Sequence, residues 1–107
     1  KVKELETCFT LSKNKVAEPG TRTVYIRIAR PDDYILISDT ANLFEYEGNK
    51  IAYTSKKEVE YEGKEKRVCI DYQVKEPQIE GKYIVEIFCE GQKIGTAVHF
   101  MKKWTLF

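Results

Sequence analysis

The stretch GKYIVEIFCEGQKIGTAVHF, residues 81–100, decides the fold of this chain of 107 residues. It contains two runs with a period of two residues, which are Tyr83, Val85, Ile87 and Cys89, then Ile94, Thr96, Val98 and Phe100. Between the runs stands Glu90-Gly91, an acidic residue and a glycine that suit the positive φ angles of a tight turn. The stretch therefore predicts a β-hairpin in which each strand lays one face on a core.

Short strands of the same kind are predicted along the rest of the chain. The segment Tyr34–Ile37 is apolar on both faces, so we expect a strand with a second cover outside the core. None of the longer windows of the sequence shows the 3.6-residue period of a helix. The runs predict one all-β domain over residues 1–107, an antiparallel sandwich of about seven to eight strands. The other alternating runs cover residues 4–12, 21–30, 44–46, 51–53, 59–61 and 66–73.

The start of the 81–100 hairpin resembles the tyrosine corner of immunoglobulin-like domains. There a Gly-x-Tyr sequence opens the penultimate strand, as Gly81-Lys82-Tyr83 does here. The antibody disulfide and core tryptophan have no counterpart, because Val85 stands at the cysteine position and the single tryptophan is Trp104 in the tail. The resemblance implies an Ig-like or fibronectin-like sandwich and leaves the order of its strands open.

Most of the chain also resembles the C-terminal domain of bacterial coiled-coil proteins labelled chromosome-segregation-like. The resemblance implies a C-terminal β-domain that follows a helical stalk, and it brings no catalytic motif. Because the first residue is Lys1 and not Met, we expect the chain to be processed or cut from a longer protein. The matching segments are TVYIRI at 23–28, FEYEG at 44–48, KEVEYEG at 57–63, VCI at 68–70 and GKYIVEIF at 81–88.

The charge balance and hydropathy of the chain exclude two classes of partner. The 18 Lys and Arg residues face 17 Asp and Glu residues, and the signs are interleaved along the chain. We therefore expect no nucleic-acid binding, which needs a basic excess or stripe. No apolar run approaches the roughly 20 residues that cross a bilayer, so we expect no membrane insertion.

Three cysteines, Cys8, Cys69 and Cys89, lie in strand-like runs without any CxxC spacing. That arrangement argues against a zinc site or a redox motif. Since Cys69 is predicted to face away from the core and Cys89 toward it, we expect three unlinked thiols. Free thiols favour the cytoplasm, with a periplasmic or membrane-tethered location as the alternative.

Catalytic chemistry finds few candidate residues. His99 is the single histidine, and by strand parity it is a sheet-face residue without a nearby ligand set. Asp32, Asp33 and Asp39 lack the spacing of a calcium loop and are expected to form turns. No glycine-rich phosphate loop is present. We expect no catalytic residue, no cofactor, no metal and no enzymatic activity.

Protein binding is the function that the pattern favours. If Tyr83, Val85 and Ile87 face inward, the outer face of the hairpin carries Ile84, Phe88, Ala97, His99 and Met101. This set is more apolar than a sheet face that contacts only water. We expect partner-binding residues there, covered by a protein partner, by a second copy or by the chain's own tail, Trp104, Leu106 and Phe107. Carbohydrate binding by exposed tyrosines is the alternative. The predicted partner-binding residues are Leu36, Ile84, Phe88, Ala97 and Met101, and the predicted core is Val24, Ile26, Ile28, Val68, Ile70, Tyr83, Val85, Ile87, Val98 and Phe100.

Overall fold

The computed structural model describes residues 3–12, 18–37, 39–74 and 79–101. Within these ranges the chain is all-β and every strand pairing is antiparallel, which confirms the predicted fold class. The eight strands are β1 (Lys3–Leu11), β2 (Gly20–Ala29), β3 (Leu43–Tyr46), β4 (Asn49–Ala52), β5 (Ser55–Tyr61), β6 (Lys66–Val74), β7 (Gly81–Cys89) and β8 (Gln92–Met101).

The strands form two main sheets and a small hairpin. Four strands pair in the order β5-β2-β7-β8, β1 pairs with β6, and β3 pairs with β4. The inward faces of the first two sheets meet in one core, because both contribute to a single cluster of buried apolar side chains. The predicted core residues on β2, β6 and β7 all lie in this cluster, which confirms their parity.

The β7–β8 hairpin forms with the predicted turn. Cys89 pairs with Gln92, and Glu90 and Gly91 have φ angles of 53° and 75°. A two-residue loop with positive φ at both positions twists the hairpin in the sense that its strands require.

The predicted assignment of β8 side chains to the inner and outer faces is wrong after Ile94, and a β-bulge is the reason. Phe88 pairs with Lys93 but Ile87 pairs with Gly95, so Ile94 is an extra residue in β8. One extra residue transfers all later side chains of the strand to the opposite face. Ile94 is buried as expected, whereas Val98 is 47% exposed and Phe100 is 77% exposed.

The segment predicted as a strand at Tyr34–Ile37 is a loop held against the end of β2. Ile35 makes an isolated bridge with Ala29, and the Leu36 N–H donates to the Ile28 carbonyl at 2.9 Å. Leu36 is fully buried in the core cluster. Leu36, in the middle of this apolar run, therefore closes the core at the end of β2.

Two buried polar side chains fix the chain where strands begin. The Tyr83 hydroxyl donates to the Ile79 carbonyl at 2.8 Å, four residues upstream, which is the hydrogen bond of a tyrosine corner. The hydroxyl of Thr54, just before β5, accepts from the Ile28 N–H at 2.8 Å, and the Thr54 N–H donates to the Ile26 carbonyl at 2.7 Å. Sequence reasoning did not find the role of Thr54.

The expectation of three unlinked thiols is wrong. Cys8 and Cys69 are direct cross-strand partners in the β1–β6 pair and form a disulfide with a Cα–Cα distance of 4.1 Å. Cys69 does face away from the core, but so does Cys8, and the two side chains therefore meet on that outer face. Cys89 is a buried free thiol on the core side, as predicted.

Candidate interaction surface

The outer face of the four-stranded sheet is divided into a half that the β3–β4 hairpin covers and a half that none of the described residues covers. The β3–β4 hairpin covers the half near the β7–β8 turn. There the ring of Phe44 stacks on Tyr25 with centroids 4.5 Å apart and meets Phe88 at 5.2 Å, while Tyr46 meets Phe88 edge-on at 4.9 Å. The guanidinium of Arg27 donates to the Ala52 carbonyl at 2.7 Å and so ties β4 to β2.

The second half carries a row of apolar side chains across three strands and the loop segment that holds Ile35. Ala29 pairs with both Ile35 and Ile84, and Ile84 pairs with Val98, so these four residues share the outer face. Phe100 follows Val98 on the same face two residues later. We call these five residues, from Ile35 to Phe100, the outer apolar strip. Exposure rises toward β8, where Val98 and Phe100 are open to solvent.

The strip ends at an open sheet edge. Strand β8 is the last strand in the order β5-β2-β7-β8, and it pairs only with β7 among the described residues. An edge strand presents a row of N–H and C=O groups that can pair with a further strand. Strand β8 is ten residues long and carries its two exposed apolar side chains beside that edge.

Charged groups bound the strip on the turn side. The Glu86 carboxylate lies 2.8 Å from the Lys93 ammonium and 3.8 Å from the Arg27 guanidinium, all on the outer face. The hydrogen bond that the Lys93 ammonium donates to the Glu86 carboxylate raises the pKa of Lys93, so the ammonium form is retained. This group of charges separates the aromatic cluster under β3–β4 from the outer apolar strip.

The structure places the predicted partner-binding residues in three different settings. Ile84 is half-buried on the outer strip, as expected. Leu36 and Phe88 are buried by the chain itself, at 0% and 2% exposure, so the expectation that they face a partner is wrong. Ala97 pairs with Val85 and packs against the core cluster, which places it on the inner face instead of the outer one. Met101 ends β8, and its side chain lies outside the described residues, as do the tail residues Trp104, Leu106 and Phe107.

The two most exposed residues of the strip, Val98 and Phe100, were assigned to the core from sequence. Their alternation with Ala97 and His99 was read correctly, but the face was not. The short distance between Gly91 and Gly95 was the available signal, since a glycine next to a hairpin turn often accompanies a bulge.

A depression of about 320 Å³ lies beside the aromatic cluster at the turn end of the sheet. Its walls include Thr23, Glu45 and the ion pair of Arg22 with Glu90, whose charged atoms are 3.0 Å apart. The Arg22 guanidinium also donates to the Pro19 carbonyl at 3.2 Å. Its charge is thus satisfied within the chain.

Thiol and imidazole groups are far apart. Cys89 stands at the turn end of β7, whereas His99 pairs with Tyr83 at the opposite end. Six residue steps along β7 separate Cys89 from Tyr83, which is about 20 Å at the usual rise of a strand. Burial raises the pKa of the Cys89 thiol, with a further contribution from the neighbouring Glu90 charge. The protonated thiol is therefore favoured.

The described residues define an all-β antiparallel domain whose most open feature is an apolar edge strand. A family model matches residues 1–102, and the chain belongs to that family, the Domain of unknown function DUF8428. No curated protein and no solved structure matches the chain significantly. Within the described ranges there is no helix long and apolar enough to cross a membrane.

Proposed function

We propose that this domain is a non-catalytic assembly module that pairs with a second copy of itself through strand β8. The observation that carries the proposal is an open edge strand with Val98 and Phe100 exposed beside it. Main-chain pairing at such an edge supplies affinity, and the side chains beside it supply specificity.

A second copy fits this edge because the pairing is self-complementary. Two β8 strands that meet antiparallel across a two-fold axis present the same groups to each other. Register centred on Val98 would set Val98 against its own copy and Phe100 against Thr96, extending the outer apolar strip across both copies. The net charge of +1 opposes the approach of two copies only weakly.

Other features support a binding role over the alternatives. A cysteine enzyme has little support, because the Cys89 thiol is buried, has a raised pKa and lies far from His99. Carbohydrate binding has less support than assembly, since the rings of Tyr25, Phe44 and Phe88 pack on one another and do not form an open platform.

We also propose that the domain is Ig-like. The order β5-β2-β7-β8 opposite β1–β6 corresponds to strands C′-C-F-G opposite B–E of that class. The hydrogen bond from Tyr83 to Ile79 adds support. If a helical stalk precedes the domain, as the resemblance to chromosome-segregation-like coiled-coil proteins implies, pairing of two domains would join two stalks.

The test is the mass of the protein in solution over a range of concentrations. We expect wild type to approach twice 12.5 kDa as concentration rises, and the double variant Val98→Lys, Phe100→Lys to stay at 12.5 kDa. The control is Glu58→Lys, which adds the same charge on the opposite edge strand, β5, at an exposed position. This control should dimerise like wild type.

A second readout separates strand pairing from contact between side chains alone. Amide hydrogen exchange within β8 should slow as the concentration of wild type rises, while exchange in β5 should not change. A wild type that remains monomeric at millimolar concentration, or a double variant that still dimerises, would refute self-pairing. A monomer that instead captures an added peptide strand at β8 would assign the edge to a different protein.

A further inference from the structure

The disulfide between Cys8 and Cys69 lies on the solvent side of the β1–β6 pair. The residues that flank the cysteines on this face are all exposed, whereas the opposite face packs in the core. The two cysteines themselves are half-buried. A disulfide placed in this way is accessible to small thiols. The exposed neighbours are Glu4, Glu6, Thr10, Arg67, Asp71 and Gln73.

A carboxylate stands next to the sulfur atoms. Glu6 is two residues before Cys8 on the same face, and one of its oxygens lies with both sulfur atoms in a group whose members are all within 4.8 Å of one another. Two thiolates and a carboxylate are ligands that zinc accepts, and a fourth position would be open to water. The open side of the sheet gives a cation direct access.

We propose that reduction of the Cys8–Cys69 disulfide creates a Zn²⁺ site formed by both thiolates and the Glu6 carboxylate, and that oxidation abolishes it. In the tetrahedral geometry two Zn–S bonds of about 2.3 Å place the sulfur atoms about 3.8 Å apart. Rotation about χ1 of the two cysteines supplies that separation without moving the strands. The oxidised pair cannot bind, because each sulfur is committed to the other.

The reaction balances with a small thiol as reductant. Two thiols transfer two electrons and two protons, so the S–S bond breaks, two protein thiols form and the small thiols leave as their own disulfide. Zinc binding then displaces the two thiol protons. In the reverse direction a small disulfide oxidises the pair and releases the cation. This site lies apart from β8 and does not depend on the assembly proposed above.

The experiment titrates the full chain with Zn²⁺ and, as a spectroscopic probe, with Co²⁺. After reduction and removal of reductant under nitrogen, we expect one Co²⁺ per chain with thiolate-to-metal charge-transfer absorption, displaced by Zn²⁺. The oxidised protein should bind neither cation. Cys8→Ser and Cys69→Ser should each abolish the charge-transfer signal expected of the pair.

Two carboxylate variants keep the test sharp if the cysteine variants fold poorly. Glu6→Gln retains both thiols and should weaken Zn²⁺ binding by at least the roughly tenfold that supporting residues cost. Glu4→Gln, the next exposed residue on the same face, should bind like wild type. Binding that is equal in the oxidised and reduced protein, or unaffected by Glu6→Gln, would overturn the proposed site. A reduced chain that binds no cation would overturn it as well.

Discussion

Replacing Phe88 by alanine tests whether the β3–β4 hairpin covers the outer face of the β7–β8 hairpin near its turn. The side chain is 2% exposed and contacts the rings of Phe44 and Tyr46. Phe100 is its natural control, since it lies on the same outer face of the same hairpin and is 77% exposed.

The expected losses differ by several kilocalories. A buried Phe→Ala change costs about 3–5 kcal/mol, which includes the cavity that it leaves. Two aromatic contacts of roughly 0.5–1.5 kcal/mol each favour the middle of that range, about 4 kcal/mol. Phe100→Ala should stay within about 0.5 kcal/mol, as exposed positions do.

Urea and thermal unfolding of both variants measure the difference, at a concentration low enough to keep the chain monomeric. At roughly 4 °C per kcal/mol, Phe88→Ala should melt about 15 °C below wild type, and Phe100→Ala within about 2 °C. Equal losses, or a larger loss for Phe100→Ala, would show that β3–β4 does not cover this face and that the parity of β8 is the one predicted from sequence.

Three further outcomes follow from the Thr54 hydroxyl and from the three cysteines. Thr54→Val should cost about 1–3 kcal/mol in urea unfolding, because the Ile28 N–H loses its acceptor inside the core, whereas Thr54→Ser keeps the hydroxyl and should cost less. Thiol titration in denaturant without reductant should count one group, Cys89, since Cys8 and Cys69 are bonded; a count of three contradicts the pairing. Native Cys89 should resist iodoacetamide at pH 8, and fast alkylation of the native protein would contradict its burial. Burial raises the pKa of the Cys89 thiol in the folded state above its unfolded value. The stability that the protonated thiol contributes is therefore complete below the unfolded pKa and is lost as the pH rises through the folded pKa.

The sequence was sufficient to find the eight strands and most inward faces, although it also predicted a strand at Tyr34–Ile37 where the chain forms a loop. Alternation alone placed Ile26, Ile70 and Val85 in the core, and the Glu90-Gly91 turn was found because only a few residue pairs tolerate two positive φ angles. These are local signals. Each depends on a residue and its immediate neighbours along one strand.

The errors arise where one strand depends on another. The bulge at Ile94 is visible only in the register of β8 against β7, and it reverses the face of Val98 and Phe100. Cys8 and Cys69 meet because β1 pairs with β6 across 61 residues, which no local pattern reports. The prediction that the outer face of the hairpin carries apolar side chains was correct. That the β3–β4 hairpin covers this face near the β7–β8 turn was not predicted, because strands of four residues give little periodicity.

The pairing of Cys8 with Cys69 also sets how far the chain can extend under tension. A force applied at the two ends cannot stretch the segment between the cysteines, which are 61 positions apart in the sequence, and roughly 210 Å of fully extended chain is therefore withheld. Strands β2–β5 lie wholly within that protected segment, while β7 and β8 lie outside it. In single-molecule pulling, the oxidised protein should therefore unfold from the β7–β8 side. Its total extension should be shorter than that of the reduced protein by the withheld length. Reduction during the pull should release the withheld length in a single further step.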